Sequence, residues 1–333
     1  MSPLLLLASI TLLLLLGAVL GPRLLRAAAP VLMRVPRLAV ALLMMGLGAW
    51  LLTAAALSLV LAWTLSGPRL LPGAYGEVCQ RCLAASSPFA PGHTVETALP
   101  VIVPIVLPAL GAALMLALGV RRALRARLAA RSVSEEITNT ARSTRLLGHD
   151  TWVVTDPRPL AFSLPRGNGG IVISDGLRHV LTDAELTAVL THEQAHLQQR
   201  HHLIMSALRA VTEPLRWIPL AGAVADAVPH YLEIAADQCA QDHSGTPNLA
   251  SALLKIGAPV SPDSFAAHSP ALSPILHAGG PDRIRQLVAP ARAEMAMLPL
   301  AALLVLTIAL AIVTLAVHGP YVQVMLLGCT LPL

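Results

Sequence analysis

Four long runs without a charged side chain limit what this chain can fold into: residues 4–20, 38–65, 97–120 and 298–317. A helix needs about 20 apolar residues to cross the hydrocarbon of a bilayer. Three runs meet that length, and the first, nearly all leucine, is short for it. Of the 333 residues only 12% are charged and 55% are hydrophobic, with a mean hydropathy of +0.69. Soluble domains carry about 25% charge, so this chain cannot clothe a surface of its size in water. The expectation is a multi-span α-helical membrane protein with four spans. A cleaved signal peptide is the alternative for the first run, since Ala27–Ala29 offers small residues. A signal peptide has its basic residues before the apolar core, whereas here nothing basic precedes Leu4, and Arg23 and Arg26 follow the run. The third run carries Pro100, Pro104 and Pro108 at intervals of four, on one helical face. Proline frees backbone carbonyls that lipid cannot satisfy, so that face is read as packed against protein, with plain irregularity of the span as the alternative.

Arginine placement orients the runs, because cytoplasmic loops collect Lys and Arg. The first loop holds Arg23, Arg26, Arg34 and Arg37 with no acid, and Arg121, Arg122, Arg125, Arg127 and Arg131 follow the third run. The second loop has only Arg69 and Arg81 against Glu77 and Glu96. Every loop fits one solution, with the N-terminus outside. Residues 1–66 make two spans and a basic inner loop, 67–96 an outer loop, and 97–120 the third span. Residues 121–297 form a cytoplasmic domain, and 298–333 the fourth span and a short outer tail. The implied location is a bacterial plasma membrane, with lipid as a partner. Direct nucleic-acid binding is excluded as a reading of the +5 net charge: the arginines flank apolar runs, and aromatic residues for base stacking make up only 3%. Cys79 and Cys82 form a C-x-x-C in the outer loop, where a disulfide is the default. Cys239 falls inside and reads as a small buried hydrophobe.

The inner domain reads as α+β, inserted between the third and fourth spans. Residues 134–148 are expected to be helical, with Ser134 as N-cap. Residues 151–155 and 171–174 are rich in β-branched residues and bounded by Pro and Gly, as strands are. Residues 161–164 offer a third strand, ending at a turn over 165–170. The best-marked helix follows. Thr182 and Glu185 make a capping box, Leu181 and Leu186 the matching hydrophobic staple, and Leu186, Val189, Leu190 and Leu197 an apolar face. Residues 203–228 are apolar but contain Arg209, Glu213, Arg216, Asp226 and Pro214, and read as helices lying under the membrane. Residues 259–282, rich in Pro, Ser and Gly, read as a loop back to it.

The marked helix carries His192-Glu193-Gln194-Ala195-His196, the H-E-x-x-H pattern. Spacing of i, i+4 puts both imidazoles on one face, one turn apart, where both can ligate one ion. Glu193 projects beside them, placed as the general base for a hydrolytic water. A catalytic zinc takes a third protein ligand. The candidate is Glu233, with Asp237 one turn on and able to fix a histidine ring from behind. The implied cofactor is one Zn²⁺ per chain. His201 and His202 are further candidate ligands, or else line the cleft or membrane interface.

The run 191–196, followed by Glu233 and Asp237, resembles the glutamate-zincin pattern of membrane peptidases. So does Ala161-Phe162-Ser163-Leu164-Pro165, with Gly170 through Leu177 running into the helix. HtpX-like and CAAX-protease-like enzymes share this strand–turn–helix order. Three spans, an inner zinc domain and a fourth span are more similar to the BlaR/MecR-type signal-transducer peptidases. The resemblance implies a zincin-like metallopeptidase domain with His192, His196 and Glu233 as zinc ligands, Glu193 as base and Asp237 as support. It also implies that Ile171, Val172, Ile173 and Ser174 border the cleft and bind a peptide substrate by strand addition. The implied function is cleavage of a cytoplasmic protein in signal transduction, the substrate being a transcriptional repressor of the winged-helix kind. The resemblance departs at the C-terminus. Only residues 318–333 follow the fourth run, where those proteins carry a penicillin-binding sensor, and no S-x-x-K acylation motif is present. The signal would then reach the outer loop or a partner protein. The alternatives are an HtpX-like quality-control or processing protease and, from another class, a non-catalytic transducer stapled by zinc. Glu193 argues against the last, because a structural zinc needs no base.

Overall fold

The computed structural model describes residues 3–66, 83–89, 95–98, 100, 103–164, 170–256 and 294–327. Cys79, Cys82, most of the turn over 165–170 and the loop over 259–282 lie outside the described residues. Among the described residues, four helices are long and apolar enough to cross a membrane: α1 (Pro3–Leu32), α2 (Pro36–Thr64), α3 (Val103–Thr140) and α9 (Met297–Leu327). In lipid no hydrophobic drive separates helix from tail, so close approach and buried polar contacts hold helices together. Both are present. Gly17 of α1 leaves room for the Trp50 ring, whose indole N–H donates to the Leu14 carbonyl at 3.0 Å. The buried Thr53 hydroxyl of α2 lies 3.1 Å from both the Leu310 carbonyl and the Thr314 hydroxyl of α9.

A short parallel pair, β1 (Leu65–Ser66) with β2 (Val95–Glu96), follows α2. The four-stranded sheet comprises β3 (Arg142–Leu146), β4 (His149–Val154), β5 (Ala161–Ser163) and β6 (Ile171–Ser174), in the order β3-β4-β6-β5. β4 and β6 are parallel; both outer pairs are antiparallel. The remaining helices are α4 (Asp175–Val180), α5 (Asp183–Gln198), α6 (His201–Thr212), α7 (Pro219–Ser244) and α8 (Thr246–Ile256). One apolar core lies between the sheet and α4, α5 and α8, with Ile171, Ile173, Leu186, Leu190 and Leu253 in it. On the opposite face Val172, Trp152 and Phe162 meet Ile137 at the end of α3. A second core joins α6 and α7 to α1 and α2: Leu208, Leu220, Val224 and Leu232 pack with Leu25, Leu32, Val40 and Leu43.

Several sequence expectations are corrected here. Ser134 is no N-cap; it is buried inside α3, which runs unbroken from Val103 to Thr140. Residues 142–146 are a strand, paired with β4 from Arg142↔Val153 to Leu146↔His149. The two residues between, Leu147 and Gly148, have φ of 48° and 87°, the left-handed pair of a tight hairpin. The proline face of the third span is not packed on this chain at Pro108, which is exposed. Residues 203–228 are divided between α6 and α7 by a break at Glu213–Leu215 and Ile218, and neither helix is among the four long apolar ones. Cys239 is half-buried and sits among polar groups, with Arg37 and Gln199 against its sulfur.

Candidate metal centre

α5 begins as its sequence dictates. The Thr182 hydroxyl accepts from the Glu185 N–H, and Glu185 Oε2 accepts from the Thr182 N–H at 2.8 Å, closing the capping box. Lys255 and Ser251 of α8 also reach the Glu185 carboxylate. These bonds, with the Lys255 ammonium foremost, lower its pKa from 4.5 to about 2. The cap ties the start of α5 to α8 and sets where the middle of α5 lies. There the apolar face meets the sheet, and His192, Glu193 and His196 lie buried on the side toward α7.

α7 supplies the opposing groups. Glu233 and Asp237 stand one turn apart and grip the same histidine from two sides. Asp237 Oδ1 is 3.0 Å from His192 Nδ1, and Glu233 Oε2 is 3.5 Å from His192 Nε2. Glu233 Oε1 is also 3.5 Å from His196 Nε2, and the two histidine Nε2 atoms are 3.0 Å apart. With zinc–nitrogen bonds of about 2.0–2.1 Å in tetrahedral geometry, two ligand atoms lie about 3.4 Å apart. The three separations therefore fit one small cation. His192, His196 and Glu233 can each present one ligand atom within 4.8 Å of the others'. Two imidazoles and a carboxylate are also a donor set that suits zinc.

Electrostatics favours the metal-ready state. Burial, helped by the His192 ring beside it, pushes His196 well below the usual histidine range, against the pull of Glu233. A neutral imidazole is the form that donates to a metal. Burial likewise brings His201 down to about 4 and lowers His202. The Glu193 carboxylate is fully buried at the same place.

The structure thus brings together His192, Glu193, His196, Glu233 and Asp237, all named from the sequence. It does not bring His201 and His202 into the ligand set found among the described residues. His201 stands behind His196, with its Nδ1 2.7 Å from the Nδ1 of His196, and His202 Nε2 lies 3.5 Å from the Ser163 hydroxyl. The substrate-strand expectation for Ile171, Val172, Ile173 and Ser174 fails for a physical reason. β6 is fully buried in mid-sheet, its hydrogen-bonding edges taken by β4 and β5. The terminal strand on that side is β5, which runs against α5. Gln199 escaped sequence reading, and Cys239 and Arg37 were read there only as a buried hydrophobe and a loop arginine, because no motif or spacing joins them to the site.

Residues 127–268 match the model of peptidase family M48. No solved structure matches the chain. The matched segment contains the two histidines, both glutamates and Asp237, so this part of the chain is similar to M48 peptidases, which are zinc-dependent.

Proposed function

We propose that this protein is an integral membrane zinc endopeptidase that cuts a cytoplasmic protein in response to a change in its own spans. The observation that carries this reading is α7. The helix that holds Glu233 and Asp237 also packs, through Leu220, Ala221, Val224 and Val228, against Leu25, Leu32, Val40 and Leu43 of α1 and α2. Gly21 of α1 lies under Leu220, and Gln238 donates to the Arg34 carbonyl at 3.4 Å. A shift of those spans moves the helix that completes the metal centre, without an intervening linker. Arginine asymmetry between the loops supports a cytoplasmic site.

His192, His196 and Glu233 would hold zinc, which when bound polarises the scissile carbonyl and makes water acidic enough to deprotonate near neutral pH. The protein groups do the rest. Asp237 accepts from His192 Nδ1–H and leaves Nε2 bare as a donor. Glu193 takes the proton of the attacking water and returns it to the leaving amine, the usual task of a carboxylate so placed. An extended substrate adds to the outer edge of β5, the position that β6 cannot offer.

The substrate we assign is a transcriptional repressor of the winged-helix kind. The test compares cells carrying the wild type with cells carrying Glu193→Gln, by cytoplasmic cleavage products and by transcripts. The proposal expects a product and a transcript response that both vanish in the variant. Identical transcripts, with damaged membrane proteins accumulating in the variant, would contradict signalling and indicate quality control.

A further inference from the structure

The two histidines of the candidate centre are held from behind in different ways. His192 has a carboxylate, Asp237, at its Nδ1. His196 has another imidazole, with the Nδ1 atoms of His196 and His201 2.7 Å apart and both rings buried. Two ring nitrogens at that distance share one hydrogen, one donating and the other accepting. His196 must keep Nε2 bare to serve as a ligand, so its hydrogen sits on Nδ1 and His201 Nδ1 accepts. A neutral His201 then carries its own hydrogen on Nε2, which lies 3.2 Å from Gln199 Oε1. With that oxygen accepting, the Gln199 amide nitrogen faces Cys239 Sγ at 3.2 Å, and Arg37 donates to the same sulfur at 3.0 Å. Each donor in the series meets an acceptor, and the first bond dictates the sense of all the others.

We propose that His201 is a positioning residue for the metal centre, holding His196 in the tautomer and ring orientation of a ligand, with Gln199 fixing His201 in turn. This rests on the metal-binding reading of His192, His196 and Glu233. The backbone is bent to make the contact. Arg200, between α5 and α6, has φ of 54°, a left-handed conformation uncommon outside glycine. The reversal brings the His201 ring back onto His196, with centroids 4.7 Å apart and planes at 86°. The series ends on Arg37 in the first turn of α2, so the orientation of one ligand is tied to a span, as Glu233 is through α7.

The experiment is zinc competition against a chromophoric chelator, with purified full-length protein in detergent. His201→Ala is expected to bind zinc about 10–100-fold more weakly than the wild type, the usual cost of losing a partner behind a ligating histidine. His201→Asn, whose Oδ1 stands where Nδ1 stood, is expected to recover most of that affinity. The visible spectrum of the cobalt-loaded protein should change in His201→Ala and return toward the wild type in His201→Asn. His202→Ala, on the same turn but outside the series, should bind as the wild type does. Wild-type affinity in His201→Ala, or equal losses in the Ala and Asn variants or in His201→Ala and His202→Ala, would overturn the proposal. Should His201→Ala fail to fold, Gln199→Leu decides: a weakened affinity supports the series and an unchanged one overturns it. A wild-type protein that binds no zinc would instead refute the metal reading beneath it.

Discussion

At the residue scale, the centre in the proposed reading divides its work between groups that would touch a metal and groups that would aim them. Glu193 and Asp237 are both buried carboxylates, yet they act on different atoms. Asp237 holds His192 Nδ1, so Asp237→Ala should weaken zinc binding about 10–100-fold. Glu193 is proposed as the base and not as a ligand, so Glu193→Gln should keep its zinc while hydrolysis of a quenched fluorescent peptide falls about 10²–10⁴-fold. Zinc affinity and turnover measured on both variants check the division; loss of zinc from Glu193→Gln would show that it is a ligand. The five residues of this set were legible because i, i+4 spacing on a helix is a rigid ruler, applied once in α5 and again in α7. His201 was visible only as a histidine near the motif. Its place behind His196 depends on the left-handed turn at Arg200, and arginine carries no signal for such a turn.

At the element scale, α5 is the frame of the site, and its cap is the part that titrates. The folded-state pKa of Glu185 is depressed from 4.5 to about 2, first by Lys255 and then by Ser251 and the Thr182 backbone. A depressed carboxylate contributes stability that is fully present above about pH 4.5 and is lost as pH falls toward about 2. Thermal melts of the detergent-solubilised protein between pH 6 and 3 should therefore fall more steeply for the wild type than for Lys255→Met. Parallel slopes would show that this cap does not tie α8 to α5. Legibility was uneven among the elements. β6, the capping box and the apolar face of α5 stood in the sequence because period and cap chemistry agree there. β3 was hidden, since Leu147 gives no hint of the positive φ its hairpin requires, and its strand of mostly exposed residues (Arg142, Ser143, Thr144, Arg145) lacks an apolar alternation. The central place of β6 was hidden too: a largely apolar strand announces burial but not which neighbours take its two edges.

At the scale of the whole molecule, the long apolar helices and the domain of the candidate centre share a core. α3 continues from its apolar stretch onto the back of the sheet, and α7 runs from the flank of α1 and α2 to Glu233 and Asp237. This continuity was unreadable in the sequence, where residues 203–228 show apolar character without saying what they cover. Alkaline phosphatase fused near Ser87 should be active and a fusion near Gly257 silent, because that enzyme works only outside the cytoplasm. The reverse pattern would place the candidate centre outside and remove a cytoplasmic repressor as substrate. The central claim, however, is that His192, His196 and Glu233 hold one metal ion in this chain. Metal analysis of the purified full-length protein, beside a His192→Ala, His196→Ala double variant, tests it most directly. The account predicts about one equivalent of zinc per chain in the wild type, as expected for a three-ligand catalytic site, and none above background in the variant. Zinc content unchanged by the two substitutions, or a wild-type protein that takes up no zinc, would contradict it.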